Sequence, residues 1–257
     1  MKDWFAYFFG QGSEVEFENF TLAHFLPILL AASIIFVIYK KRNALAASKC
    51  DTGVRYVLAF MMICCEMSYF WRMVGNAGAL NPNAVDHLPI SVCGWAIIFG
   101  SFMLVGKSQS LFDICYFWVL SGTIFALITP SVIDYTGPTR YRYYQFWAEH
   151  LLGYVAVFYM IFVHKFRPTI RSFIKAYGLM AVLAAVAYTT NAIIGPGANY
   201  LFLSKSESDS SISSLLPNNM VLRILIMAVA VSVLFTLAYL PWFIRDRKAK
   251  KREKVSV

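Results

Sequence analysis

Two residues in this sequence combine a reactive side chain with an apolar setting: a cysteine near the start of one apolar run and a histidine inside another. Cys93 lies in HLPISVCGWAIIFGSFMLV, residues 87–105, and His150 in FWAEHLLGY, residues 146–154. A thiolate can attack an acyl ester, and a histidine within hydrogen-bond reach can take the thiol proton and later return it to the leaving alcohol. The thiol then has to reach its thiolate form, for which a neighbouring imidazolium or arginine is the available cause. Pro89 suits the first turn of a helix, so Cys93 is expected about one turn, roughly 6 Å, inside it. The competing reading of Cys93 is a small apolar filler.

The elements that must hold these residues are membrane helices. Of the 257 residues, 59% are hydrophobic and 17% aromatic, and the mean hydropathy is +0.58, more than a soluble surface tolerates. The net charge of +9 does not point to nucleic acid, because the basic residues cluster between and after apolar runs, where anionic lipid is the expected partner. Five cysteines, Cys50, Cys64, Cys65, Cys93 and Cys115, show no CxxC spacing, so neither a disulfide framework nor a metal site is expected, and no cofactor motif is visible.

A crossing needs about 20 apolar residues. On that basis seven spans are expected, at 20–39, 53–74, 88–105, 111–129, 144–163, 173–194 and 220–244. They form an all-α polytopic domain over 1–244, followed by a basic cytosolic tail over 245–257. The tight GKSQS link predicts that the third and fourth helices form an antiparallel hairpin. With the N-terminus outside and the C-terminus in the cytosol, 17 of the 23 Lys and Arg fall on inner segments, the expected bias. No internal repeat is visible, which argues against inverted-repeat transporters.

Ionisable groups inside a membrane are functional candidates by default. In this topology the outer half collects His24, Glu66, Arg72, Cys93, Glu149, His150, Asn191 and Arg223, whereas the inner half offers little beyond Asp113 and His164. A polar cavity open toward the outer leaflet is therefore expected. Glu66 is too deep to reach the headgroups and needs a partner, and Arg72 and Arg223 can instead snorkel to the surface.

HLPISVC, FWAEHLLGY and GPGANYLFLSKS, with the seven-helix layout, resemble the bacterial YwaF-type integral membrane proteins, relatives of the animal transmembrane protein 164 acyltransferases. The resemblance covers most of the chain. It implies a plasma-membrane acyltransferase or transacylase acting on glycerophospholipids, with the acyl group carried on Cys93 and His150 assisting. In those relatives a histidine is expected two residues before the cysteine and often an acidic residue just after it. This chain has Ser91 and Gly94 there. Glu66, Arg72, Asn191, His24, Glu149 and Arg223 are the expected substrate-binding or supporting residues. The rival expectation is a non-catalytic lipid-binding, transport or sensory protein with a polar outer cavity.

Overall fold

The computed structural model describes residues 2–10, 17–75, 83–130, 137–205 and 212–255, with side chains throughout except at 2, 3, 72–75, 212, 213 and 253–255. All regular structure among them is helical. A short α1 (Lys2–Phe8) is followed by α2 (Leu22–Ala47), α3 (Asp51–Gly75), α4 (Val92–Gly106) and α5 (Gln109–Phe117). A π-turn (Trp118–Gly122) joins α5 to α6 (Ile124–Ile128), and α7 (Tyr141–Phe162), α8 (Ile170–Ile194) and α9 (Met220–Val255) complete the order.

Among the described residues five helical stretches are long and apolar enough to cross a membrane: Leu22–Ala47, Asp51–Trp71, Gln109–Ile128, Ile170–Ile194 and Met220–Arg252. The two expected spans that fall short are α4 and α7. At 15 residues α4 is roughly 22 Å long, below the roughly 30 Å of a hydrocarbon core. α7 is long enough but carries Arg142, Gln145, Glu149 and His150 along its first half.

These two helices lie at the centre. Ala156, Val157 and Met160 of α7 and Met103 and Leu104 of α4 are fully buried, packed with Met62 of α3 and Phe112, Cys115 and Phe117 of α5. By contrast α2, α8 and α9 turn Leu29, Leu30, Val182, Val186, Val229 and Leu237 outward, the pattern of helices whose outer faces meet lipid. Small residues permit close approach between the central helices: a Cβ on Gly100 would stand 2.7 Å from Met62 Cε, and one on Gly153 would stand 3.2 Å from Val119 Cγ2.

Local signals explain the ends. Ser91 caps α4 by accepting the Gly94 N–H at 3.0 Å, and Lys107 closes it in the left-handed conformation. Ser108 then caps α5, which produces the expected hairpin of α4 and α5. The start of α4 is a correction: the helix begins at Val92, not at Pro89, because Ser91 supplies a cap and Pro89 stays in the approach, where its carbonyl receives Trp95 Nε1 at 2.9 Å. Cys93 is thus the second helical residue, not one turn in. Thr169 and Ser172 form a reciprocal capping box on α8. The basic segment after residue 244 is the unbroken continuation of α9.

Candidate functional site

The polar centre forms where α3, α4 and α7 meet, with α3 antiparallel to the other two. Glu66 of α3 is buried and faces the first turn of α4: a Cβ on Gly94 would fall 2.7 Å from Glu66 Oε1. The missing side chain at Gly94 is therefore what admits the carboxylate. A helix N-terminus favours negative charge, so Glu66 is well placed there. Where an acidic residue was expected beside the cysteine on its own helix, one from α3 stands instead.

Glu149 of α7 accepts from Gln145 Nε2 at 2.7 Å and lies 3.7 Å from Arg142 Nη1. Gln145 ties this group to α3: its Nε2 donates to the Cys65 carbonyl and its own carbonyl receives the Cys65 thiol, both at 3.3 Å. Arg142 Nη1 also donates to Gln145 Oε1, and its guanidinium lies over the Tyr69 ring with the centroid 4.6 Å away.

His150, also buried, has Nδ1 2.8 Å from the Phe146 carbonyl, one turn back. A carbonyl only accepts, so Nδ1 carries the hydrogen and Nε2 presents its lone pair. Among the described residues Nε2 has no hydrogen-bond partner, and neither does the Glu66 carboxylate. One turn further along α7, the Tyr154 hydroxyl bonds the Thr123 hydroxyl at 3.1 Å.

Among the described residues no arginine bonds Cys93, and Arg142 is engaged by Glu149, Gln145 and Tyr69. No hydrogen bond joins Cys93 to His150 among the described residues. Among the described residues no three His, Cys, Asp or Glu side chains are placed to hold a metal ion.

The structure thus puts Glu66 against the first turn of α4, which carries Cys93, and Glu149 and His150 on the neighbouring α7. It places three other expected residues elsewhere. His24 accepts the Phe20 N–H on Nδ1 at 3.1 Å and reaches the Leu127 carbonyl through Nε2 at 2.8 Å, tying α2 to α6. Asn191 clips the chain after α8 by bonding both the N–H and the carbonyl of Tyr200, at 2.8 and 3.1 Å. It lines a separate cavity of about 240 Å³ with Tyr188, Lys205 and Met220. Arg223 does not snorkel; it is fully buried and donates to the carbonyls of Phe202, Leu216 and Pro217. The side chain of Arg72 lies outside the described residues.

The TMEM164 family model matches residues 17–252. The chain belongs to the TMEM164 family. No curated protein and no solved structure matches it. Membership in the TMEM164 family and the apolar helices together make this an integral membrane protein.

A second polar cluster was not foreseen. Asp51 and Arg55 are both buried on the first turns of α3. Asp51 Oδ2 takes Arg55 Nε at 3.0 Å, with Lys107 Nζ at 3.6 Å, and Oδ1 takes Tyr159 Oη and His164 Nε2 at 2.8 Å each. Arg55 Nη1 in turn donates to the last carbonyls of α4, Leu104 at 2.5 Å and Val105 at 3.3 Å. An Asp followed four residues later by an Arg is the i,i+4 signal that could have revealed the pair.

Proposed function

We propose that this TMEM164-family protein is a membrane-embedded acyltransferase or transacylase that moves a fatty acyl group between glycerophospholipids through a thioester on Cys93. The observation that carries this reading is the tautomer of His150: Nδ1 is held by the Phe146 carbonyl and Nε2 is left as a base on α7, the helix that packs against α4. The proton leaves as the carbon–sulfur bond forms, so no free thiolate has to be held in apolar surroundings. Sγ attacks the ester carbonyl carbon, the carbonyl electron pair moves onto oxygen, and Nε2 takes the thiol proton. Collapse breaks the bond to the glycerol oxygen, which leaves with the proton from the imidazolium as lysolipid. A hydroxyl of an acceptor lysolipid then attacks the thioester by the same steps in reverse. Glu149, fixed by Gln145 and Arg142, and Glu66, fixed against Gly94, support the site.

In this reading seven helices cross the plasma membrane, α4 and α7 among them, with the N-terminus outside, the C-terminus in the cytosol and Cys93 in the outer half. The Lys and Arg bias supports that orientation, and the central packing of α4 and α7 supports counting them as crossings despite the short length of one and the polarity of the other. The basic turns of α9 from Arg245 to Arg252 suit anionic lipid, at about 1 kcal/mol per basic residue near the surface. Incubating the purified protein with a diacyl phospholipid should leave a hydroxylamine-sensitive acyl group on Cys93, with more trapped when lysolipid is withheld. If no adduct forms and Cys93→Ala binds phospholipid as the unaltered chain does, a non-catalytic lipid-binding protein is the better account. The lack of a hydrogen bond between Cys93 and His150 is the observation that favours that second reading.

A further inference from the structure

Attack on an acyl carbonyl puts negative charge on its oxygen, and only a hydrogen-bond donor can receive it. Side-chain donors of the polar centre are engaged: Arg142 by Glu149 and Gln145, Gln145 Nε2 by Glu149 and the Cys65 carbonyl, and the Tyr154 hydroxyl by Thr123. The backbone at the start of α4 is not.

A helix leaves its first N–H groups without intrahelical partners. Ser91 answers one of them, that of Gly94, at 3.0 Å. The carbonyls one turn back from the other two are turned to different donors: Leu88 accepts the Ile90 N–H at 2.7 Å and Pro89 accepts Trp95 Nε1 at 2.9 Å. Among the described residues the N–H groups of Val92 and Cys93 therefore meet no acceptor beyond their own residues. Both residues are half-buried, and the second carries the thiol, so a carbonyl carbon bonding to Sγ has its oxygen within reach of these N–H groups.

A second feature marks this turn as a place for a ligand. Glu66 is only 8% exposed, its Oε1 lies 2.7 Å from where a Cβ on Gly94 would stand, and its carboxyl group has no hydrogen-bond partner among the described residues. Buried polar groups are almost always paired, so a bound molecule is needed to complete it. It bonds neither the Val92 nor the Cys93 N–H, and donors and acceptor stand open on one turn. The reacting molecules complement both: an ester or thioester brings a carbonyl oxygen, and an acceptor lysolipid brings a hydroxyl.

We propose that the backbone N–H groups of Val92 and Cys93 receive the acyl carbonyl oxygen during attack by Cys93. This rests on the acyl-transfer reading above. As the carbon–sulfur bond forms, the carbonyl electron pair moves onto oxygen and is held there by the two N–H groups without proton transfer. Its return breaks the bond to the leaving oxygen.

Val92→Pro deletes one of these N–H groups at a position that accepts proline, because Val92 is the first helical residue and Ser91 before it is extended (φ −135°, ψ 144°). The full purified chain is acylated at Cys93 by a p-nitrophenyl fatty acyl ester and, separately, alkylated there by iodoacetamide, which makes no oxyanion. Val92→Pro should slow acylation about 100-fold and alkylation by no more than about threefold. Val92→Ala keeps the N–H and loses the packing of Val92 against the π-turn at Gly122, and should hold both reactions within about threefold. Acylation of Val92→Pro at the rate of the unaltered chain overturns the proposal. So does an equal slowing of both reactions, or as large a loss in Val92→Ala, either of which marks packing. A second measurement needs no variant: replacing the carbonyl oxygen of the ester by sulfur, a weak hydrogen-bond acceptor, should slow the unaltered chain about 10-fold more than it slows a free alkyl thiol. Equal slowing of the two also overturns the proposal. If the unaltered chain alkylates at Cys93 but takes no acyl group there, the acyl-transfer reading itself fails and this proposal with it.

Discussion

Two polar clusters share α3, α4 and α7, separated by the 15 residues from Asp51 to Glu66, roughly 22 Å of helix. At the Asp51 end every partner is answered: both carboxylate oxygens are bonded, and Arg55 closes the carbonyl end of α4. At the Cys93 end the Glu66 carboxylate and His150 Nε2 have no hydrogen-bond partner among the described residues. Buried polar groups are almost always paired, so a saturated cluster reads as a clasp and an unsaturated one as a place where a ligand supplies the missing bonds. The same three helices are thus locked at one end and receptive at the other.

The sharpest way to break this comparison is to remove the nucleophile. Cys93→Ala is expected to lower acyl transfer by at least about 10³-fold while leaving the thermal unfolding midpoint nearly unchanged, since the residue belongs to the receptive end. A large fall in the midpoint would mean that Cys93 is packing instead. At the locked end the expectation reverses. Arg55→Met leaves Asp51 buried without its closest cation and should cost about 3–5 kcal/mol, read by denaturant or thermal unfolding in detergent. Adding Asp51→Asn should cost less than the sum of the two single changes, because they share one network. Equal stability of Arg55→Met and the unaltered chain would remove the clasp.

A smaller effect tests how Glu66 is admitted. Gly94→Ala places a methyl 2.7 Å from Glu66 Oε1, so the carboxylate must move. A cost of about 1–3 kcal/mol is expected, smaller in the Glu66→Ala background, where the clash is gone.

The smallest effect concerns pH. Burial is the main cause that holds the His164 imidazole below its ordinary value; Asp51 opposes this, and Lys107 and Arg55 add to it. The unfolded chain therefore binds this proton more readily than the folded one, so stability is lost as pH falls below the ordinary histidine value of about 6.5. The midpoint should drop between pH 7.5 and 5.5, and part of that drop, roughly one ionisation's worth, should vanish in His164→Gln. An unchanged pH slope in that variant would show that His164 does not titrate with folding.

Part of this was legible in the residues alone. An ionisable group in an apolar run stands out because hydrocarbon penalises it, and that singled out Glu66, Cys93, Glu149 and His150, which lie on the three helices that meet at the polar centre. The same rule also selected His24, Asn191 and Arg223, which serve as clips and clamps for loops and helix ends. Depth along a helix follows from counting residues, but the direction a side chain faces and the neighbour it meets do not. For the same reason the Asp51–Arg55 pair under the end of α4 was not foreseen.

By itself the sequence determined that the chain is helical and membrane-embedded, roughly where most helices run, and which residues carry chemistry, because hydropathy and helix length are local properties. Only the tertiary structure decided that the two helices least suited to cross alone, α4 and α7, form the centre, and that Gly94 makes room for a carboxylate from α3. It alone decided that Gln145 ties α7 to Cys65 of α3. Those outcomes depend on which helix faces meet, a property of packing between segments far apart in the chain.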